Sequence, residues 1–389
     1  MPWEMETTGA ADDRAELDRI HRLFPALHGI AFLNHAAASP IPEPVRQAMV
    51  EAVEGMATAH PPDARAAADR LRQRIATFIN GDPRGVAITR STAHGVSLLA
   101  RGLRWRRGEN VVVAEGDYPA TIYPWRALQS EGVELRVAEG REIVARGPAA
   151  ILDRTDTRTR VVCVNHVQFS SGVRLDVTPI GAECRRRGIL LCVDVMQSLG
   201  AVAVDAEAMS ADVVASGGHK WLLGPSSTAF CYLRPDLIPT LTPLIAGALS
   251  VVDPFEFTKY DQDWAPDAHR FEETWLSPPD LAGLGAAIEL ASAVGMQRIE
   301  RSVLDRTRAL SDSLAAAGMR LAAPWPRPVE QTAGIVSFAH SHLPAEEVLQ
   351  ALSMAGVVAS RRGPFVRLSP HYHNPDREIE LALETIAGL

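Results

Sequence analysis

Short apolar runs recur through the first two thirds of the chain, at 86–89, 110–114, 134–137, 160–164, 189–195, 212–216 and 228–233, each closed by polar or small residues. Helix-like stretches separate most of them. One covers 63–79, where Ala, Leu and Ile return at helical spacing until Gly81-Asp-Pro83 breaks the pattern. Strands that are apolar on both faces need cover on both, and alternation with helices supplies it. This order therefore specifies an α/β domain built on a mostly parallel sheet. Ligands of such sheets bind beyond the carboxyl ends of the strands. The residues that close the runs become the candidates for function: Ser91 and Thr92, Tyr118, Asn165 and His166, Asp194 and Gln197, Ser216, and His219 with Lys220.

The rest of the sequence reads as a second unit. Pro, Asp and aromatic residues crowd 251–279, as in a long connection. Beyond it lie helical patterns at 280–294, 297–317 and 376–386 and strand-like runs at 335–338 and 365–368. The expected division is a large cofactor-binding domain over residues 20–264 and a small C-terminal α+β domain over 265–389, with residues 1–19 packing on the small domain. The 389 residues, 47% of them hydrophobic, suffice for two cores.

A net charge of -8 gives no electrostatic footprint for nucleic acid, and the short arginine clusters at 104–107 and 185–187 read as solvated faces. No apolar run reaches the roughly 18 to 20 residues of a membrane span. The N-terminus is acidic and lacks the features of a secretion signal, so a cytoplasmic location is expected. Cys163, Cys184, Cys192 and Cys231 show no C-x-x-C spacing, and three of them fall in apolar runs, so buried reduced thiols are expected. The pairs His340/His342 and His371/His373 lack further ligands nearby, and no metal is expected.

Asp194 ends the almost wholly apolar run Leu190-Leu-Cys-Val. A carboxylate there is costly without a cationic partner. The protonated nitrogen of a pyridine ring is one such partner, and Lys220 follows one strand later in Ser216-Gly-Gly-His-Lys-Trp-Leu-Leu-Gly-Pro225. Together they suggest pyridoxal phosphate. The lysine holds the aldehyde as a Schiff base, and the aspartate keeps the ring nitrogen protonated so that the ring draws electrons from the substrate's α-carbon. The two glycines read as flexible backbone that brings His219 and Lys220 up to the cofactor.

The runs Val193-Asp-Val-Met-Gln-Ser-Leu-Gly200 and Asp212-Val-Val-Ala-Ser-Gly-Gly-His-Lys-Trp-Leu-Leu-Gly-Pro225 resemble the class V aminotransferase family of fold-type I pyridoxal phosphate enzymes. That family includes cysteine desulfurases, selenocysteine lyase, kynureninase and isopenicillin N epimerase. The resemblance runs from Phe32-Leu-Asn-His-Ala-Ala-Ala-Ser-Pro40 to Val366-Arg-Leu-Ser-Pro-His-Tyr-His-Asn374, and in HKWLLGP it is nearest to the epimerase branch. It implies a fold-type I transferase architecture, bound pyridoxal 5'-phosphate and a homodimer with shared active sites.

Position by position, the resemblance makes Lys220 the cofactor lysine and Asp194 the partner of the ring nitrogen, with Gln197 on the ring hydroxyl. Thr92 and Ala93, at an expected helix N-terminus, would hold the phosphate with Ser216 and His219. Tyr118 would lie over the cofactor face. Arg367 would clamp the substrate carboxylate, a task suited to a planar bidentate donor, and Asn34 would touch substrate from the N-terminal segment. Thr274, in Arg270-Phe-Glu-Glu-Thr-Trp275, stands where relatives carry a glycine-threonine pair that reaches the neighbouring subunit's phosphate, although the glycine is absent here. Arg361 and Arg362 read as a solvated pair.

Desulfurases place a cysteine on the loop before the carboxylate-binding arginine, because persulfide formation needs an accessible thiolate. Residues 357–367 hold none, so sulfur transfer to a protein cysteine is not expected. The resemblance implies an enzyme acting on an α-amino acid through an external aldimine and a quinonoid, with Lys220 as general base, as an epimerase or a β-elimination lyase. Transamination is an alternative. So is a non-catalytic aminotransferase-like ligand sensor, although the leader before Phe32 is too short and acidic for a DNA-binding domain.

Overall fold

A computed structural model describes residues 19–58 and 63–389. The expected packing of the N-terminal segment concerns residues that, apart from Arg19, lie outside those described. All seven expected runs are strands, to within a residue at each end. After a short β1 (Ala31–Phe32) they are β2 (Val86–Thr89), β3 (Asn110–Ala114), β4 (Glu134–Ala138), β5 (Thr159–Asn165), β6 (Leu190–Asp194), β7 (Val213–Gly217) and β8 (Ala229–Leu233). β2 to β8 form one sheet in the order β2-β8-β7-β6-β5-β3-β4. Only β8 runs against its neighbours. The carboxyl ends of the other six strands therefore share one edge, and β8 begins at that same edge.

The period-2 alternation within each strand splits the core into two layers. Ile88, Val112, Val162, Val164, Leu191, Val193 and Val214 face one, where Leu71 and Ile75 of the helix Ala64–Phe78 and Leu281, Leu284 and Ile288 of the helix Pro278–Val294 cover them. Ala87, Val111, Val113, Val161, Cys163, Cys192, Val213 and Ala215 face the other, under Val96, Leu98 and Leu99 of the helix Thr92–Gly102. Burial on both faces explains why these strands read as unbroken apolar runs.

The C-terminal part forms a second sheet from β9 (Arg320–Leu321), β10 (Val336–Ala339), β12 (Ser360–Arg362) and β13 (Phe365–Leu368), antiparallel in the order β12-β13-β10-β9. The remaining strand, β11 (Val357–Val358), pairs in parallel with β1. Ala31 and Leu33 thus join the C-terminal core beside Leu310, Phe338, Leu352 and Leu368. The helix Pro278–Val294 belongs to both units, since its far end, Leu290, Ala291 and Val294, packs with Ile299 and Val303 of the helix Met296–Ala316.

The run containing Arg270, Phe271 and Glu272 is internal. One Glu272 oxygen accepts the Ile88 amide of β2 at 2.7 Å and the other pairs with Arg72, and both side chains are buried. This joins the sheet edge to the helix Ala64–Phe78. Glu272→Leu strips a buried guanidinium of its buried partner, so urea unfolding should show a loss of about 3–5 kcal/mol.

Candidate active site

A cleft of about 330 Å³ opens at the shared carboxyl edge of the large sheet. Thr92, Ala93, Tyr118, Asp194, Gln197, His219, Lys220 and Arg367 line it, as the sequence led us to expect. Ser216, Asn34 and Thr274 do not. Ser216 is buried, with its hydroxyl donating to Gly217 O at 3.1 Å. Asn34 forms a backbone bridge with Ser369, and Thr274 is exposed in the stretch after β8.

Strand ends of the large sheet place several of the lining side chains. β6 carries Asp194 to the floor, where Oδ1 accepts the Met196 amide at 2.8 Å. Burial raises this carboxyl to about 6, opposed by the Met196 hydrogen bond and by Lys220. β7 leads through Gly217 and Gly218 to His219 and Lys220. Neither glycine has a positive φ, so the expected reason for them, backbone flexibility, is replaced by space. A Cβ on Gly218 would meet Leu284 Cδ1 at 2.9 Å, and one on Gly217 would lie 3.3 Å from Met196 Sδ. The left-handed residue is instead Leu223, at φ 60, an uncommon conformation for a branched side chain and a strained one close after Lys220.

Burial lowers the Lys220 amine to about 8; Asp194 opposes this, and Arg367 and Arg362 add to it. Its Nζ lies 5.4 Å from the centre of the Tyr118 ring, which meets Phe169 edge-on. Lys220 and Lys259 are the only lysines in the chain. β2 leads to Ser91, which caps the helix Thr92–Gly102 by accepting the His94 amide at 3.1 Å. That leaves the helix N-terminus facing the cleft, a natural seat for an anion.

Asn165, a strand-end candidate, also lines the cleft, whereas His166 does not; sequence reasoning gave no role to several other lining residues: Arg90, Phe169, Met196, Thr228 and Arg362. Thr228 immediately precedes β8, and only the reversed direction of that strand brings it to the cleft. Arg362, expected to be solvated with Arg361, lines the cleft, whereas Arg361 is exposed and pairs with Glu346. Gln197 is already committed at both ends of its amide: Nε2 donates to Ala36 O at 3.0 Å, and Oε1 accepts from Trp221 Nε1 at 2.9 Å. One Nε2 hydrogen remains.

Two buried groups test the fit of a phosphorylated cofactor and an amino acid. Among the described residues Thr228 Oγ1 has no partner, and neither do Nε and Nη2 of the fully buried Arg367, whose Nη1 donates to Phe169 O at 2.8 Å. Buried donors left open are expensive. Lys220, Arg362 and Arg367 face the single carboxylate Asp194, so the cleft lacks anions. A phosphate at the helix start and a carboxylate at Arg367 would supply them. The residues fit pyridoxal phosphate.

A parallel sheet with a lysine and a buried aspartate at its carboxyl edge defines a fold-type I pyridoxal phosphate enzyme. The sequence pattern of Aminotransferase class-V matches residues 31–371, and the chain belongs to that family. A probable cysteine desulfurase of Methanothermobacter thermautotrophicus is 30% identical over 95% of this chain and 98% of its own length. An uncharacterized aminotransferase of Bacillus subtilis, YcbU, is 26% identical over 95% and 97%. Among solved structures, the apo cysteine desulfurase of Thermococcus onnurineus superposes with a TM-score of 0.87 at 23% identity, over 99% of this chain and 100% of that one. The cystine C-S lyase C-DES, bound to its reaction product cysteine persulfide, gives 0.86 at 24%, over 94% and 99%. Among the described residues no helix is long and apolar enough to cross a membrane.

The lowered pKa of Lys220 has a direct consequence. Capture of an aldehyde by the cofactor-free protein needs the neutral amine, so its rate should rise with pH and reach half its maximum near 8. A midpoint near the ordinary 10.5 would show that burial does not act on this amine.

Proposed function

We propose that the chain is a C–S lyase that cleaves a cysteine-type amino acid by β-elimination and releases the sulfur fragment to solution or to a small thiol, with no persulfide on the protein. The observation that carries this reading is the placement of the cysteines. Cys163, Cys192 and Cys231 lie inside β5, β6 and β8, Cys184 lies in the helix Thr178–Arg187, and all four are buried. None lines the cleft. Burial pushes the Cys163 and Cys231 thiols well up and the Cys184 thiol to about 12, so they are poor nucleophiles. β12 and β13 are joined only by Gly363 and Pro364, which leaves no loop to carry a thiol to the site. The names of the relatives, cysteine desulfurase and cystine C-S lyase, support a sulfur amino acid as substrate.

In this reading the two open donors of Arg367 receive the substrate carboxylate as a bidentate pair. Backbone amides at Thr92 and Ala93 and the Thr228 hydroxyl hold a phosphate, and Asp194 balances a cationic ring nitrogen. Pyridoxal phosphate, when bound, supplies an electron sink conjugated to the α-carbon. Lys220 Nζ takes the α-proton. The Cβ–S bond then breaks and sulfur leaves with its electron pair, and the remaining three-carbon fragment hydrolyses to a keto acid and ammonium. Tyr118 and Phe169 wall the cleft. We place the division of the chain at 264/265: residues 20–264 supply the floor and phosphate seat, and residues 265–389 supply Arg362 and Arg367.

Incubation with L-cystine should give keto acid and persulfide in equal amounts. Pretreatment with iodoacetamide should leave the rate within about twofold, since buried thiols are out of its reach. Mass spectrometry after turnover should show no added sulfur. A protein persulfide would sink the proposal. Appearance of the D-enantiomer without keto acid would make the protein an epimerase, and a keto acid that retains its sulfur would make it a transaminase.

We also propose that the chain works as a homodimer. Phe255, Phe257, Tyr260, Trp264 and Trp275 are exposed within one stretch, beside exposed Thr274, and apolar surface of this kind marks an interface. Sedimentation should report a dimer, and Phe257→Glu with Tyr260→Glu a monomer that retains cofactor poorly. A monomeric wild type overturns this.

A further inference from the structure

Lys220 is held from both sides, and one of the holders is a histidine with no place in the chemistry described above. The carbonyl of His219 accepts the Ser39 amide at 2.9 Å. The carbonyl of Trp221 accepts from His371 Nε2 at 2.8 Å. The carbonyls of the residues on either side of the lysine are thus held by segments from opposite ends of the chain. His371 Nδ1 accepts the Tyr372 amide at 2.8 Å, which fixes the tautomer: the ring's one proton lies on Nε2, aimed at Trp221 O. The imidazole is fully buried, and burial holds its pKa down to about 3.

The two segments are also tied to each other. The His35 amide donates to Ser369 O at 3.2 Å and the Ala36 amide to Ser369 Oγ at 3.0 Å. His35 Nδ1 and Ser39 Oγ share a hydrogen bond of 2.7 Å, and the His35 ring meets His371 edge-on at 5.0 Å. Arg367 lies four residues before His371, in β13. One short stretch therefore carries both the open guanidinium in the cleft and the ring that holds the lysine turn.

We propose that His371 is a positioning residue: it fixes Lys220 relative to Arg367, so that an amino acid whose carboxylate sits on the arginine presents its α-proton to the lysine. The proposal rests on Lys220 and Arg367 having the roles given above. His373 is the internal contrast. It lies 5.4 Å from His371, stacks on Phe24 and is equally buried, yet among the described residues neither of its ring nitrogens has a hydrogen-bond partner. It packs without holding the lysine turn.

The test uses the holoenzyme and two readouts: steady-state kinetics with L-cystine and the pH midpoint of the visible absorbance band, whose proton lies on the lysine nitrogen. His371→Leu keeps the bulk and removes the donor. Its kcat should fall at least about tenfold, with KM held within about threefold, because the carboxylate clamp is intact and the base is misplaced. The absorbance midpoint should move by about half a unit or more, since the surroundings of the lysine change. His371→Gln, whose amide can still donate to Trp221 O, should recover most of both. His373→Leu should change neither. If the leucine variant does not fold, His371→Asn, polar but too short to reach Trp221, takes its place.

Wild-type kcat and midpoint in the variant lacking the donor would overturn the proposal. So would equal losses in His371→Leu and His373→Leu, since the cluster would then act only by packing. A cofactor band that survives Lys220→Ala would instead overturn the assignment of the lysine itself.

Discussion

Asp194 is 2% exposed, and every other residue of its strand is apolar or a thiol. Leaving such a carboxylate alone in the interior would cost several kcal/mol, or force it to take up a proton. The sheet places it where relief is available. β6 lies between β5 and β7, its carboxyl end opens on the cleft, and the turn after β7 brings the Lys220 amine to the same space. The same burial that raises Asp194 lowers Lys220, so both titrate closer to neutrality than the free groups would.

The remaining charges follow from that pair. One carboxylate faces the cations Lys220, Arg362 and Arg367 at the cleft, and the guanidinium of Arg367 keeps two donors open in the interior. A site so arranged is incomplete without anionic ligands, which is the electrostatic form of a preference for a phosphorylated cofactor and an amino acid. The phosphate seat costs the protein little, because a helix start already leaves its amides unpaired.

Much of the site's rigidity comes from residues far from it in sequence. β1 pairs with β11, Ser369 accepts from the amides of His35 and Ala36, and Ser39 and His371 close on the lysine turn from the two sides. The segment that begins near residue 31 therefore packs with the C-terminal core before it reaches the cleft at Ala36 and Ala37. Gln197, expected to face the cofactor, spends most of its amide joining Trp221 to Ala36.

By itself, the sequence determined the large sheet, the edge on which the cleft opens and two of the residues that line it, Asp194 and Lys220. An apolar strand encodes its own burial, and a carboxylate at its end announces an unmet charge. It likewise showed that the stretch 357–367, leading to Arg367, holds no cysteine. Tertiary structure alone decided which other polar residues converge. Thr228 reaches the cleft only because β8 is reversed, and Arg362 faces it while Arg361 pairs with Glu346 outside. Gly217 and Gly218 are needed for the closeness of Met196 and Leu284, and Ser216 turns inward. Local pattern records whether a residue is buried, but strand direction, hairpin register and the meeting of the two chain ends decide what it is buried against.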